Sequence, residues 1–356
     1  MKRFFRWSMA LAGVVLLYLL LWPTPVDAVA WTVPPETHLP TNQQLAAVTR
    51  QNLPEGYGPE DVAIDAQGRV YGGLQDGQIM RHDPATQLWE TFANTGGRPL
   101  GLHFDAEGNL IVCDAYKGLL AVDPLGNISV LTTEYAGVPF RFTDDVDIDT
   151  NGIIYFTDAS FKFYQPEWKL DAMEHRPNGR LMTYNPKTGV TSLLMDQLCF
   201  ANGVALSPAE DFVLVNETWN YRVLRYWLKG EKQGTHDVFI EHLPGYPDGI
   251  SCDGEGIFWL ALPSVRNGLL DNLSEKPFLR KVISRLPAFF HPKPKRFAFF
   301  LGINLDGTVV YNLQEPTGQP FAMITSVEAW GGRLYLGSLH EPAYAVIDLN
   351  KLTPVQ

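Results

Sequence analysis

From about residue 50 onward, apolar and polar positions alternate in short runs interrupted by Gly, Pro, Asn and Asp, a period-two pattern of strands and tight turns. Six segments repeat one theme: a turn, a small or polar residue, alternating apolar positions, an Asp or Ser, a turn residue, then a second apolar strand. They cover 59–71, 99–111, 143–155, 201–213, 247–259 and, more loosely, 325–335. Their turn residues Gly68, Gly108, Gly152, Asp211, Gly256 and Gly332 are separated by 40, 44, 59, 45 and 76 positions. Further period-two stretches lie between them, as at 78–84 and 180–186. Four short strands in a repeat of about 40 to 45 residues form a blade, and radial repetition protects strand edges. The pattern predicts an all-β fold, a six-bladed β-propeller with four-stranded blades, over residues 31–356.

Two intervals exceed the period and predict insertions at about 161–178 and 264–300. The first is rich in Phe, Tyr and Trp, and both could wall a pocket for an apolar substrate. Within the second, 278–290 reads as a short amphipathic helix stopped by Pro287, with Arg280, Lys281 and Arg285 on it and Lys293, Lys295 and Arg296 after it. That helix suits a membrane surface or a lid, or else caps the propeller with its charges in water. Ahead of the repeats, Lys2, Arg3 and Arg6 precede an apolar run from Met9 to Trp22. Residues 1–30 therefore predict a membrane segment with its positive end inside and the propeller extracytoplasmic. Two forms stay open: an uncleaved single-pass anchor, or a secreted protein released by signal cleavage at Val26-Asp27-Ala28.

Composition narrows the partners. A formal net charge of −11 argues against nucleic acid, which requires a basic stripe, and favours a cation. The three cysteines, Cys113, Cys199 and Cys252, lie in strand-like apolar contexts and read as buried free thiols; they are too few for a thiolate metal site. Sequons stand at Asn127, Asn216 and Asn272.

In a propeller the innermost strand of each blade starts beside the central channel. That position holds Glu60, Asp144 and Asp145, Asn202 and Asp248, all oxygen donors. Carboxylates so close repel one another in a poorly solvated channel unless a divalent cation holds them ionised. The absence of His and Cys points to a hard ion, and carboxylate with amide oxygen suits Ca2+ better than zinc. His103, on the second inner strand, is either a general base or a core histidine. No Gly-x-Ser-x-Gly elbow occurs, so a serine-hydrolase route has no support.

Across 50–350 the sequence resembles the calcium-dependent propellers of the strictosidine synthase-like and regucalcin/gluconolactonase group, and within it the adipocyte plasma membrane-associated branch. The likeness is carried by Gly58-Pro-Glu-Asp61, Arg98-Pro-Leu-Gly101, Cys113-Asp-Ala-Tyr-Lys-Gly-Leu119, Ile154-Tyr-Phe-Thr-Asp-Ala-Ser160, Phe200-Ala-Asn-Gly-Val204, Gly245-Tyr-Pro-Asp-Gly249 and Leu334-Tyr-Leu-Gly-Ser338. It also includes the short N-terminal anchor. The resemblance implies metal ligands at Glu60, Asp144, Asn202 and Asp248, with Asp144 standing where the family has Asn. Asp145 then becomes the candidate catalytic or orienting carboxylate, beside His103. The implied activity is calcium-dependent hydrolysis of a small-molecule ester or lactone, arylesterase- or lactonase-like. The alternative is a non-catalytic, calcium-stabilised, membrane-anchored propeller that binds a protein or small-molecule partner. Strictosidine synthesis itself is disfavoured, because the last-blade stretch ending at Glu328 does not place a glutamate where that chemistry needs it.

Overall fold

The computed structural model describes residues 2–355, with side chains from residue 4 onward. The side chains of Lys2 and Arg3, part of the expected positive flank, lie outside the described ones.

The repeated Asp or Ser is the residue that turns the first strand into the second in five of the blades; in the sixth, Gly331 and Gly332 make the turn. Asp105 Oδ1 accepts the backbone N–H of Glu107 at 3.0 Å and of Asn109 at 2.7 Å, and Asp65, Asp149 and Asp253 do the same in their repeats. Ser207 replaces them in the fourth repeat, its Oγ accepting from the N–H groups of Asp211 and Phe212. Three residues after the Asp the backbone turns left-handed, at φ +78° for Gly68, +84° for Gly108 and +80° for Gly152. In the fourth repeat that conformation falls on Glu210, at φ +51°, one position before the Asp211 expected from the alignment of repeats.

Six antiparallel four-stranded sheets result, joined by one two-stranded hairpin, Glu134–Tyr135 with Val138–Pro139. The inner strands of the blades are Val62–Ile64, Pro99–Phe104, Thr143–Ile148, Ala201–Leu206, Ile250–Cys252 and Ile324–Trp330. The sixth repeat supplies only three strands. Its outer strand comes from the other end of the chain: Thr49–Asn52 pairs antiparallel with Ala343–Asp348, Thr49 opposite Val346 and Asn52 opposite Ala343. The apolar core lies between successive sheets. Ile111, Cys113 and Leu119 of the second blade pack with Val146, Phe156 and Met182 of the third, and Trp259 and Phe300 of the fifth with Val327 and Leu336 of the sixth. Cys113 and Cys199 are buried and Cys252 is half-buried, all as free thiols.

The chain divides into two compact units, with the propeller formed by 34–165, 177–266 and 294–356. The second unit joins 1–33 with the central parts of both insertions, 166–176 and 267–293, which the sequence pattern alone leaves as separate pieces. It contains α1 (Lys2–Leu21), α2 (Trp168–Glu174), α3 (Gly268–Asn272) and α4 (Pro277–Ser284). α4 ends six residues short of the 278–290 expected for it, and 298–300, expected in the insertion, begin the strand Ala298–Asn304. Pro at the first position of α4 suits a helix start, since its missing N–H has no partner there to lose.

Arg280 of α4, expected in water, is buried and ties three segments together. It donates to the carbonyls of Met173 and Ser274, each at 3.0 Å, and to that of Val29. Burial lowers its pKa to about 10. Asp27 receives Arg176 at 2.6 Å and Lys281 at 3.0 Å, and Trp31 stacks on His175 with ring centroids 3.9 Å apart.

Candidate metal centre in the channel

Pairing of the inner strands is irregular at the start, which is what aims side chains into the channel. Thr143 faces Asp158, but the next paired residue, Val146, faces Phe156, so the inner strand carries one extra residue there. The same shift separates Ala201 from Val204 and Pro99 from Leu102. A bulge of this kind bends the strand and redirects the side chains within it. The redirected residues are Asp144 and Asn202, and in the fifth blade the equivalent Asp248 stands two residues before its strand.

Glu60, Asp144, Asn202 and Asp248, the four expected ligands, are all buried; the first three line one cavity of about 60 Å³, and Asp248 lies behind Asn202. Asn202 donates its amide N–H to the Asp248 carboxylate, while Asn216 donates to the Asp248 main-chain carbonyl. Burial first, then the charges of its neighbours Asp248, Asp61 and Asp145, pushes Glu60 well above the usual carboxylate range. Asp144 is raised by burial and by Glu60 and Asp248, and burial raises Asp248 to about 7 against the opposing hydrogen bond from Asn202. The Glu60 Oε2 atom is buried without a hydrogen-bond partner. The second inner strand breaks the ring, with Leu100 at the matching position.

An orphaned carboxylate oxygen beside two further carboxylates and an amide fits a hard divalent cation, whose ligands are oxygens and whose charge would hold the acids ionised. Among the described residues no three His, Cys, Asp or Glu groups are drawn together as a closed metal shell.

Blades approach so closely at this ring that a side chain would not fit at some positions. A Cβ on Gly101 would lie 2.6 Å from the Asp144 carbonyl oxygen, and one on Gly249 2.6 Å from that of Thr325. The next acids along the strands bridge these contacts. Asp145, the expected catalytic carboxylate, lines the same cavity and accepts the N–H of Val146 at 2.8 Å and, from the fourth blade, that of Val204 at 2.9 Å. Asp61 accepts Leu102 N–H of the second blade at 2.9 Å, and Asp147 accepts Leu206 N–H of the fourth at 2.7 Å. Thr325 closes the circle, its hydroxyl donating to the Glu60 carbonyl at 2.6 Å.

His103 is not a core histidine: its side chain is 40% exposed, with Nε2 3.8 Å from Asp147 Oδ1. It stands three residues beyond the ring position, about 10 Å along an extended strand. The half-buried Glu328 stands at the same level, raised well above its usual range by burial and by Asp61, Asp147 and Asp145.

Three site residues have no counterpart in the sequence reading. Asn216, read there as a sequon, is fully buried in the strand Phe212–Glu217 and holds the Asp248 backbone. Arg98, buried directly before the second inner strand, donates to the carbonyls of Gly58 at 3.1 Å and Gly73 at 3.2 Å, its charge favouring ionised Glu60. Asp61 sits beside Glu60 in the repeat, and comparing third positions across the repeats would have marked it with Asp145.

The fold and this oxygen-lined channel define the class: a six-bladed propeller with the fold of the gluconolactonases and regucalcins. A gluconolactonase of Xanthomonas campestris superposes with a TM-score of 0.64 at 16% identity, covering 91% of this chain and 99% of that one. Regucalcin of Agrobacterium tumefaciens, a calcium-binding protein, superposes at 0.61 and 15% identity over 89% and 95%. Sequence relationship is more specific. Residues 144–231 match the strictosidine synthase family and 38–82 the N-terminal part of strictosidine synthase-like proteins. Strictosidine synthase-like protein 6 of Arabidopsis thaliana is 39% identical, covering 82% of this chain and 79% of its own. Adipocyte plasma membrane-associated protein of Rattus norvegicus is 32% identical over 98% of this chain and the whole of its own. The chain belongs to the strictosidine synthase-like family.

Proposed function

We propose that this protein is a calcium-dependent hydrolase of esters or lactones, held at a membrane by α1 with its propeller extracytoplasmic. The observation that carries the reading is the unpartnered Glu60 Oε2 in a buried ring with Asp144, Asn202 and Asp248. These four residues would hold the ion, and Asn216 and Arg98 fix the backbone around them. A bound calcium ion would supply Lewis acidity toward a carbonyl oxygen. The chain's own residues do the rest. Asp145 keeps one lone pair on each oxygen after its two backbone hydrogen bonds, enough to take the proton of an attacking water. His103, about 10 Å along the strand from the ring, belongs with Asp147 and serves the other end of the channel. The cavity of about 60 Å³ holds an ion and one or two waters, so the acyl or lactone group is presented at its mouth.

The same small volume favours a second reading, a calcium-braced propeller that binds a partner without turnover. Calorimetry with calcium, followed by turnover of phenyl acetate and simple lactones by wild type and Asn202→Ala, separates them. Calcium binding with turnover lost in the variant supports the hydrolase. Calcium binding with no turnover above the variant leaves the scaffold, and no calcium binding refutes the ring as a metal site.

Retention of the N-terminal segment is supported by what cleavage after Ala28 would remove. Val26 is buried, the Asp27 N–H donates to Glu174 at 2.6 Å, and the Asp27 carboxylate pairs with Arg176 and Lys281, which holds its pKa low. α1 offers an apolar span over Phe4–Leu21, 18 residues or about 27 Å, close to the bilayer's hydrocarbon thickness.

A further inference from the structure

The second insertion places its residues against the usual order. Its α4 buries a cation, Arg280, while Phe278, Leu279, Phe289 and Phe290 are 58, 44, 66 and 59% exposed. The rings of Phe289 and Phe290 lie 4.2 Å apart as one outward patch. Clustered exposed aromatics mark a surface that is covered in use.

Continuity with α1 indicates what covers it. Arg285, at the end of α4, donates to the carbonyls of Trp22 at 2.5 Å and Leu19 at 3.1 Å, where a helix C-terminus favours a cation. Tyr18 Oη donates back to the Arg285 carbonyl at 3.1 Å, and Thr24 and Ser284 hydroxyls meet at 2.9 Å. Phe289 and Phe290 follow Arg285 by four and five residues, so the chain can carry them at most about 18 Å from that junction. Tyr18 and Trp22 are exposed amphipathic rings at the end of the apolar span, the residue types that sit at headgroup depth. Lys276 before α4 and Lys293 after the aromatic pair stand in the open.

We propose that the second insertion is a membrane-interface collar: Phe278, Leu279, Phe289 and Phe290 enter the headgroup boundary of the bilayer that α1 crosses. The inference rests on the anchored reading above and adds a second, peripheral contact to it. Full-length protein in vesicles of phosphatidylcholine with phosphatidylserine tests both, using nitroxide labels at Val14→Cys, Phe289→Cys or Leu125→Cys in a Cys252→Ser background. Each label is read by collision with oxygen, which concentrates in lipid, and with a water-soluble nickel chelate. The expected result is an oxygen-dominated ratio at 14 and 289 and the reverse at 125, an exposed propeller position. A lipid-like label at 14 with a water-like label at 289 overturns the collar and leaves the anchor standing. Exclusion of both reagents at 289 also overturns it, assigning the patch to a second protein copy. Water-like labels at both 14 and 289 overturn the anchor and the collar together.

Discussion

Asp61 lines the channel and Asp248 lies behind its Asn202, and although they are the same residue type their oxygens are used in opposite ways. Asp61 has its two oxygens matched to backbone N–H groups, Val62 at 2.8 Å and Leu102 of the next blade at 2.9 Å. Asp145 and Asp147 follow that plan. Asp248, with Glu60 and Asp144, crowds instead against other acids, and Glu60 keeps an oxygen with no partner. One set fastens blade to blade; the other is held in an arrangement that is unfavourable until positive charge arrives. A carboxylate's duty is set by its position along the inner strand: the ring acids are buried, and the half-buried acids one or three residues on reach the next blade.

The contrast can be broken in order of effect. Chelation should act most strongly: with calcium at a thousandfold over its dissociation constant, its removal should cost about 4 kcal/mol, read as a fall of several degrees in Tm. Asp61→Ala comes next. It strands two backbone N–H groups and should lower stability by about 2–3 kcal/mol in urea unfolding, equally with calcium or chelator present. Asp248→Asn should behave oppositely, losing the calcium-dependent increment yet unfolding no earlier than wild type in chelator. If both variants respond alike to calcium, the division between bracing and binding acids is wrong.

A pH series sharpens the same point. In the metal-free folded protein burial holds Asp248 protonated up to about 7, whereas the unfolded chain releases that proton near 3.8. Between those values the unfolded state binds fewer protons, so this group's contribution to stability is greatest below about 4 and is lost as pH rises to about 7. Thermal melts in chelator should show this fall, and saturating calcium should abolish it. The smallest effect is expected from His103→Gln, about 10 Å along the strand from the ring, which should change calcium affinity by less than about threefold in calorimetry.

Much of this was legible along the chain because it is local. The Asp-to-Gly turn is closed within four residues, so it leaves a repeating mark that counts the blades and locates the strand starts. The ring positions follow from that register. What was not legible depends on distant partners. Nothing in Asp145 or Asp61 announces an N–H group on the next blade, and Asn216 reads as a surface sequon until Asp248 is brought beside it. Thr49–Asn52 is polar and without alternation; its strand identity comes only from the pairing with 343–346. Arg280 looks like a solvated charge because the carbonyls it serves belong to three separated stretches.

That same pairing sets the order of events during synthesis. Thr49–Asn52 is translated well before Ala343–Asp348, the strand it pairs with, so five blades can assemble while the sixth waits for its closing pair. A ribosome stalled before Ala343 would leave Thr49–Asn52 without the strand it pairs with. Closure thus waits for Ala343–Asp348, whose pairing with Thr49–Asn52 joins the two ends of the repeat array in one sheet.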